Sequence, residues 1–249
     1  MGERLQLDVL QNSIVGTIFE GKLHLFSTIA STNTHAMREA AMGAPHGSVY
    51  IAEEQTAGRG RGDHAWHSEP YTGIYVSILL RPQLAAADGL WLSLATGLAV
   101  QQAVENVTSF VTDIRWPNDL LAGGRKVGGI LMEMNAEASC VRYAVIGVGI
   151  NVNQREFPQG IREQATSLRL ATGREIQRTN LLAAVLQSLR QEIDALIQPE
   201  SVAAASMEIL GRLERKSTWI RGKHVVVDEA GGYTGVTAGL DGQGFLLVQ

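Results

Sequence analysis

Eight residues, GIYVSILL from Gly73 to Leu80, carry β-branched, aromatic and aliphatic side chains with a single serine among them. They are fenced by EPYT before and Arg81-Pro82 after. Such a run between turn residues reads as a buried strand, which commits the chain to a sheet with other layers packed on it. Val49 to Gln55 (VYIAEEQ) and Val141 to Ile150 (VRYAVIGVGI) read as further strands. TDIRWPNDLLAGGRKVGGILMEMN reads as strand, proline turn, Gly123-Gly124 turn and strand. Asp88 is the expected N-cap of DGLWLSLATGLAVQQAVENV, whose Leu90, Leu94 and Leu98 recur at helical spacing. Thr179 or Asn180 is the expected cap of the amphipathic LLAAVLQSLRQEIDALI, and a second helix is expected from about Val202 to Arg212. After Lys216 the texture changes to short alternating strands between Gly-Gly and Asp-Gly turns. The expected architecture is α+β: a mixed sheet backed by helices over residues 1–214, then a small β-barrel over residues 215–249.

Composition narrows the function classes. Of the 249 residues, 45% are hydrophobic and 18% charged, which is globular rather than disordered usage. A formal net charge of -4 argues against duplex nucleic acid as a partner, since such binders usually carry a basic face. The single cysteine, Cys140, rules out an internal disulfide and a multi-cysteine metal site, and its strand-like context reads as a small core residue. The N-terminus lacks the order of a signal peptide and no apolar run is long enough to span a membrane, so a cytoplasmic location is expected.

The stretch EEQTAGRGRGDHAWHS, Glu53 to Ser68, sets two arginines among three glycines. A Walker loop needs Gly-Lys-Ser/Thr running into a helix, whereas Gly62 is followed by Asp63-His64-Ala65-Trp66 and then Pro70. The dinucleotide fingerprint fails for want of the same helix. His64 and His67 lack a third ligand nearby, so no metal site is assigned. Two readings remain for this segment alone: a solvated hairpin loop, or a pliant loop whose peptide N–H groups and Arg59 and Arg61 grip an anion.

Three companions share the oddity. STIASTNTHAMREA sets Ser31, Thr32 and Asn33 at a helix start, which suits either an N-cap or a polar-ligand site. RWPNDLL packs Trp116, Asn118 and Asp119 into one turn, and GGRKVGGILME presents Lys126 on a strand edge between glycine pairs.

The set STN, EEQTAGRGR…W.S, RWPNDLL…GGRKVGGIL.E and IGVGINVN, spanning Ser27 to Asn153, resembles the biotin–protein ligases in order and spacing. The resemblance implies a class II aminoacyl-tRNA-synthetase/biotin-ligase-like sheet and a C-terminal SH3-like barrel. It implies ATP and biotin as substrates, Mg2+ with the ATP, a biotinyl-adenylate intermediate, and transfer to a lysine of a biotin carboxyl carrier domain. Carried over position by position, it puts Ser31, Thr32, Asn33, Gln55, Arg59, Gly60, Arg61, Lys126, Gly129 and Gly149 at biotin. Gly58, Trp66, Asn118, Lys126 and Asn151 fall at the nucleotide, with Trp66 stacking on adenine; Arg59, Arg61, Lys126 and Asp119 are the catalytic candidates. Gly147 joins Gly129 and Gly149 in letting the sheet approach biotin.

This chain departs from the family pattern in places. The family's arginine-rich loop often continues GRGRRGR, where Gly62-Asp63-His64 stands here, and Arg115 replaces a common lysine. Too few residues precede the first strand for the helix-turn-helix domain of repressor members, so a monofunctional enzyme without operator binding is expected. Relatives usually carry another strand or two beyond GFLLVQ, which leaves either a shorter barrel or a truncated sequence. A homodimer is common in the family. Two rivals stay open: a lipoate–protein ligase, and a module that binds biotinyl-adenylate without transferring it.

Overall fold

The computed structural model describes residues 2–62, 64–137, 140–197, 202–228 and 231–249. Its main sheet contains β1 (Leu23–Phe26), β2 (Val49–Ala52), β3 (Gly73–Leu80), β4 (Asp113–Arg115), β5 (Asp119–Ala122), β6 (Arg125–Glu137) and β7 (Cys140–Asn151). The strand order is β1-β2-β3-β7-β6-β5-β4, with β1 parallel to β2 and every other neighbour antiparallel. The helices are α1 (Leu7–Ser13), α2 (Thr32–Ala41), α3 (Gly89–Thr108), α4 (Leu168–Thr172), α5 (Arg178–Leu196) and α6 (Val202–Lys216). Among the described residues no helix is long and apolar enough to cross a membrane.

Period-two alternation decides what each sheet face meets. Ile51, Ile78, Leu80, Ile146 and Val148 turn toward the large core built with α3 and α5. Tyr50, Leu79 and Val145 turn the other way, against Ala36 and Ala40 of α2. α3 is apolar around most of its circumference because it is buried between the sheet and α5 with α6. Farther along the strands, on the α2 face, bulky residues give way to Ser77, Gly129, Gly147 and Gly149, and the sheet there is left bare.

The C-terminal unit is β8 (Arg221–Val227), β9 (Tyr233–Leu240) and β10 (Leu246–Val248), an antiparallel sheet in the order β10-β9-β8. The expected barrel is therefore an open sheet among the described residues, since three short strands are too few to curl into a closed cylinder. It is tied to the main body where the Trp116 indole N–H donates to the Gly244 carbonyl at 2.9 Å and Thr218 N–H to Asp113 at 3.0 Å.

Local details correct the sequence reading. Cys140 is exposed, because it opens β7 at the hairpin end that projects past the core. Asp88 precedes α3 but makes no capping bond, since it closes a 3-10 turn over Ala86–Asp88 and is already helical in backbone. α5 starts one residue before Thr179, whose hydroxyl instead accepts the Gln6 N–H at 3.1 Å. Lys126 lies on an interior strand, with β5 on one side and β7 on the other.

Candidate active site

The bare patch is the floor of a narrow, solvent-open cleft. Its glycines are demanded by what lies above them. A Cβ on Gly149 would stand 2.5 Å from the Trp66 ring, one on Gly129 2.9 Å from it, and one on Gly147 2.5 Å from Asn33 Oδ1. In GVGI the glycines therefore face the cleft while Val148 and Ile150 face the core.

One end of the cleft is neutral and tightly bonded. Ser31 caps α2, its hydroxyl accepting the Thr34 N–H, so that Thr32 and Asn33 enter the first turn buried. The Gln55 side-chain carbonyl accepts the Thr32 N–H at 2.8 Å and hydroxyl at 3.0 Å, and its NH2 donates to Ser68 at 3.1 Å. The Ser77 hydroxyl lies 2.8 Å from Thr32 Oγ1 and 3.0 Å from Asn33 Oδ1, and the Asn33 NH2 donates to Glu133 at 2.6 Å.

The other end is cationic. The Gly58–Trp66 segment folds back on itself through Trp66 N–H to Gly58 O at 2.9 Å and Gly60 N–H to His64 O at 2.7 Å. It carries Arg59 to Glu133 at 3.1 Å and Arg61 to Asn118 Oδ1 at 3.4 Å. Asp63 lies outside the described residues. The Asn118 NH2 is engaged by the Ile130 carbonyl at 2.9 Å, which turns its oxygen toward Arg61. Lys126 Nζ is 2.6 Å from Asp119 Oδ1 and 5.5 Å from the Trp66 ring centre. Arg115 holds the second oxygen of Asp119.

Trp66 and Lys126 also border an adjoining solvent-open pocket, walled beyond them by Asn151, Phe157, Ile161 and Gln164. The Trp66 indole N–H is buried with no acceptor among the described residues. Among the described residues no group of three or more His, Cys, Asp or Glu side chains is placed to hold a metal ion.

The pattern shared by the Biotin/lipoate A/B protein ligase family matches residues 25–151, about half of the chain and all of the cleft floor. The chain belongs to that family. Among its relatives, the Bifunctional ligase/repressor BirA of Bacillus spizizenii is 43% identical over 160 residues, 64% of this chain and 49% of the relative. This chain thus spans about half the length of that protein. The Biotin--[acetyl-CoA-carboxylase] ligase of Mycobacterium tuberculosis is 35% identical over 234 residues, 91% of this chain and 83% of the relative. The biotin protein ligase from Aquifex aeolicus, solved in complex with biotin and ATP, superposes with a TM-score of 0.77 at 31% identity. That match covers 92% of this chain and 91% of the other, so the family's sheet-and-helix architecture is shared nearly end to end.

Within this family fold, the residues singled out from the sequence converge. Ser31, Thr32, Asn33, Gln55, Arg59, Gly60, Arg61, Trp66, Asn118, Lys126, Gly129 and Gly149 all line the first cleft, and Asn151 the second cavity. Two stand back from the walls. Gly58 closes the loop through its carbonyl, and Asp119 is buried behind Lys126 with both oxygens occupied by cations. Asn151 donates to the Thr166 carbonyl at 3.1 Å and so braces the wall that carries Phe157 and Ile161. Sequence reading passed over Ser77, Phe157 and Ile161, and it met Glu133 only as the last position of the motif GGRKVGGIL.E, with no role given to it. Ser77 did leave a trace, as the lone polar residue of an otherwise apolar strand.

Proposed function

We propose that this chain activates biotin with ATP and transfers it to a lysine of a biotin carboxyl carrier domain. The observation that carries the reading is the polarity of the cleft: a buried, neutral, hydrogen-bonding end abuts an end with three cations, Arg59, Arg61 and Lys126. A ureido ring has two N–H donors and one strong acceptor, and its burial requires partners such as Ser31, Thr32, Asn33 and Gln55. The carboxylate at the far end of the same molecule then reaches the cations.

The chemistry needs them. In the first step a carboxylate oxygen attacks the α-phosphorus of ATP, pyrophosphate leaves, and a mixed anhydride forms. Two like unit charges about 4 Å apart repel by roughly 4 kcal/mol at an effective dielectric of about 20. At about 1.4 kcal/mol per tenfold in rate, leaving that unopposed slows reaction on the order of a thousandfold. Arg59, Arg61 and Lys126 oppose it, and magnesium enters on the nucleotide's own phosphates. The second pocket, lined by Trp66, Phe157 and Ile161, suits a flat aromatic base such as adenine. In the second step the carrier's lysine amine attacks the activated carbonyl and AMP leaves. The Gly58–Trp66 loop is the shield that keeps water from the anhydride meanwhile.

The same reading treats residues 1–214 as the catalytic unit and 215–249 as an accessory one, working in the cytoplasm alongside the ATP pool. Incubation with ATP, biotin and a carrier domain, followed by intact-mass analysis, tests it. One added biotinyl group per carrier is expected, with lipoate failing to compete, because a dithiolane offers the Thr32–Asn33–Gln55 end nothing to bond. An unmodified carrier, or preferential lipoyl transfer, defeats the proposal.

A further inference from the structure

Glu133 is out of place in a cleft meant for anions. It lies on β6 opposite Val145, on the cleft face, with about a quarter of its side chain exposed. Both oxygens engage Arg59: Nη1 donates to Oε2 at 3.2 Å and Nη2 lies 3.1 Å from Oε1. Oε2 also accepts from the Asn33 NH2 at 2.6 Å. Glu133 itself lines neither cavity, so its charge is spent on its neighbours.

An ionised carboxylate can only accept hydrogen bonds. It therefore forces Asn33 to point its NH2 at Glu133 and its oxygen at Ser77. Gln55 is oriented separately, because its carbonyl accepts the Thr32 backbone N–H at 2.8 Å and its NH2 donates to Ser68 at 3.1 Å. A guanidinium has five N–H donors in a rigid fork. With one edge clamped by Glu133, its remaining donors are aimed by the clamp.

On the ligase reading above, we infer that Glu133 is a positioning residue for acid activation. It holds Arg59 by one edge so that the free donors meet the acid. Glu133→Gln tests this, because it keeps the size, removes the charge and lets the amide turn either way. Equilibrium biotin binding is expected to weaken about tenfold, with the melting temperature unchanged. In an Arg59→Ala background the same substitution is expected to cost less than about threefold, because the group it acts through is gone. Biotin affinity within twofold of wild type overturns the inference, as does an equal loss in both backgrounds. Should Glu133→Gln fail to melt cooperatively, Glu133→Asp is read instead: the charge is retained but withdrawn by one methylene, and a loss of under twofold overturns the clamp. Carrier labelling by the wild-type protein in the same assay separates the two ideas. Inactive wild type defeats the ligase reading, whereas active wild type with an indifferent Glu133→Gln defeats only the role of Glu133.

Discussion

At the neutral end of the cleft Thr32 and Asn33 are 3% and 4% exposed, and their side chains are bonded to protein. At the cationic end Arg59 keeps 46% of its side chain in solvent and Lys126 keeps 35%. The contrast follows from what each end must do. Discriminating a ring by hydrogen bonds requires partners fixed beforehand, because a buried group left unpaired costs about 1–3 kcal/mol. Neutralising a polyanion requires charge that can follow the phosphates in, and partial exposure keeps that charge cheap until the cleft closes. Substitutions at the cationic end should therefore spoil chemistry and spare folding, while those at the neutral end should do the reverse.

Lys126→Ala is the hardest blow to that contrast. Adenylate formation, followed by pyrophosphate release, is expected to fall on the order of a thousandfold, the scale of one unopposed charge pair at about 4 Å. Thermal unfolding should move little. A loss of under tenfold would mean that the cationic end is not where the repulsion is met.

Gly149→Ala comes next and attacks the boundary between the ends. The new methyl would sit 2.5 Å from Trp66, so the indole has to leave its seat over the glycines. We expect ATP affinity to drop about 10- to 100-fold, in line with the roughly 1–3 kcal/mol lost when an aromatic stacking partner of a base is removed. Biotin affinity should fall less. Isothermal titration with each ligand separates the two, and an equal loss for both would show Trp66 serving the whole cleft.

What the sequence disclosed and what it hid also divide along this line. β3 was legible to the residue, because an uninterrupted apolar run with turn residues at each end admits one reading. The arginines and the glycine floor were legible as well, since such residue types stand out locally and match a family pattern. Glu133 was not. In ILMEMN it resembles an ordinary polar position on an alternating strand, and its partners Arg59 and Asn33 lie 74 and 100 residues away. Only the register of β6 against β7 and the seating of α2 bring them together. The caps failed for a similar reason. Asp88 and Thr179 have the right chemistry for an N-cap, but a preceding 3-10 turn and a long-range bond from Gln6 claim them. The buried ion pair of Arg178 and Glu53, at 2.8 Å, joins α5 to the strand that leads into the site loop, and no local pattern announces it.

Ser77→Ala probes the neutral end with a smaller expected effect. Removing the hydroxyl deprives Thr32 Oγ1 and Asn33 Oδ1 of a shared donor inside the protein. Chemical denaturation should report a loss of about 1–2 kcal/mol, the usual cost of a buried acceptor left without a partner. The rate of adenylate formation at saturating biotin should change less than threefold. A variant of wild-type stability but poor chemistry would reverse the roles assigned to the two ends.

The smallest effect concerns pH, and it arises outside the cleft altogether. Burial holds His46 below its ordinary pKa of 6.5, with Lys22 and Arg81 pushing the same way and Asp194 opposing. Its Nδ1 accepts the Arg81 N–H at 2.9 Å, a bond that only the unprotonated nitrogen can accept. The unfolded chain thus takes up the proton first. The stabilisation is complete above pH 6.5 and is lost as the pH falls through the lower folded value. His35, lowered by burial as well, adds to the slope. Denaturation midpoints should therefore decline between pH 7.5 and 5. His46→Asn, whose side-chain oxygen can take over the Arg81 bond without titrating, should flatten that decline while leaving carrier labelling at pH 7.5 intact. An unchanged slope in that variant would move the acid sensitivity to His35 or into the cleft itself.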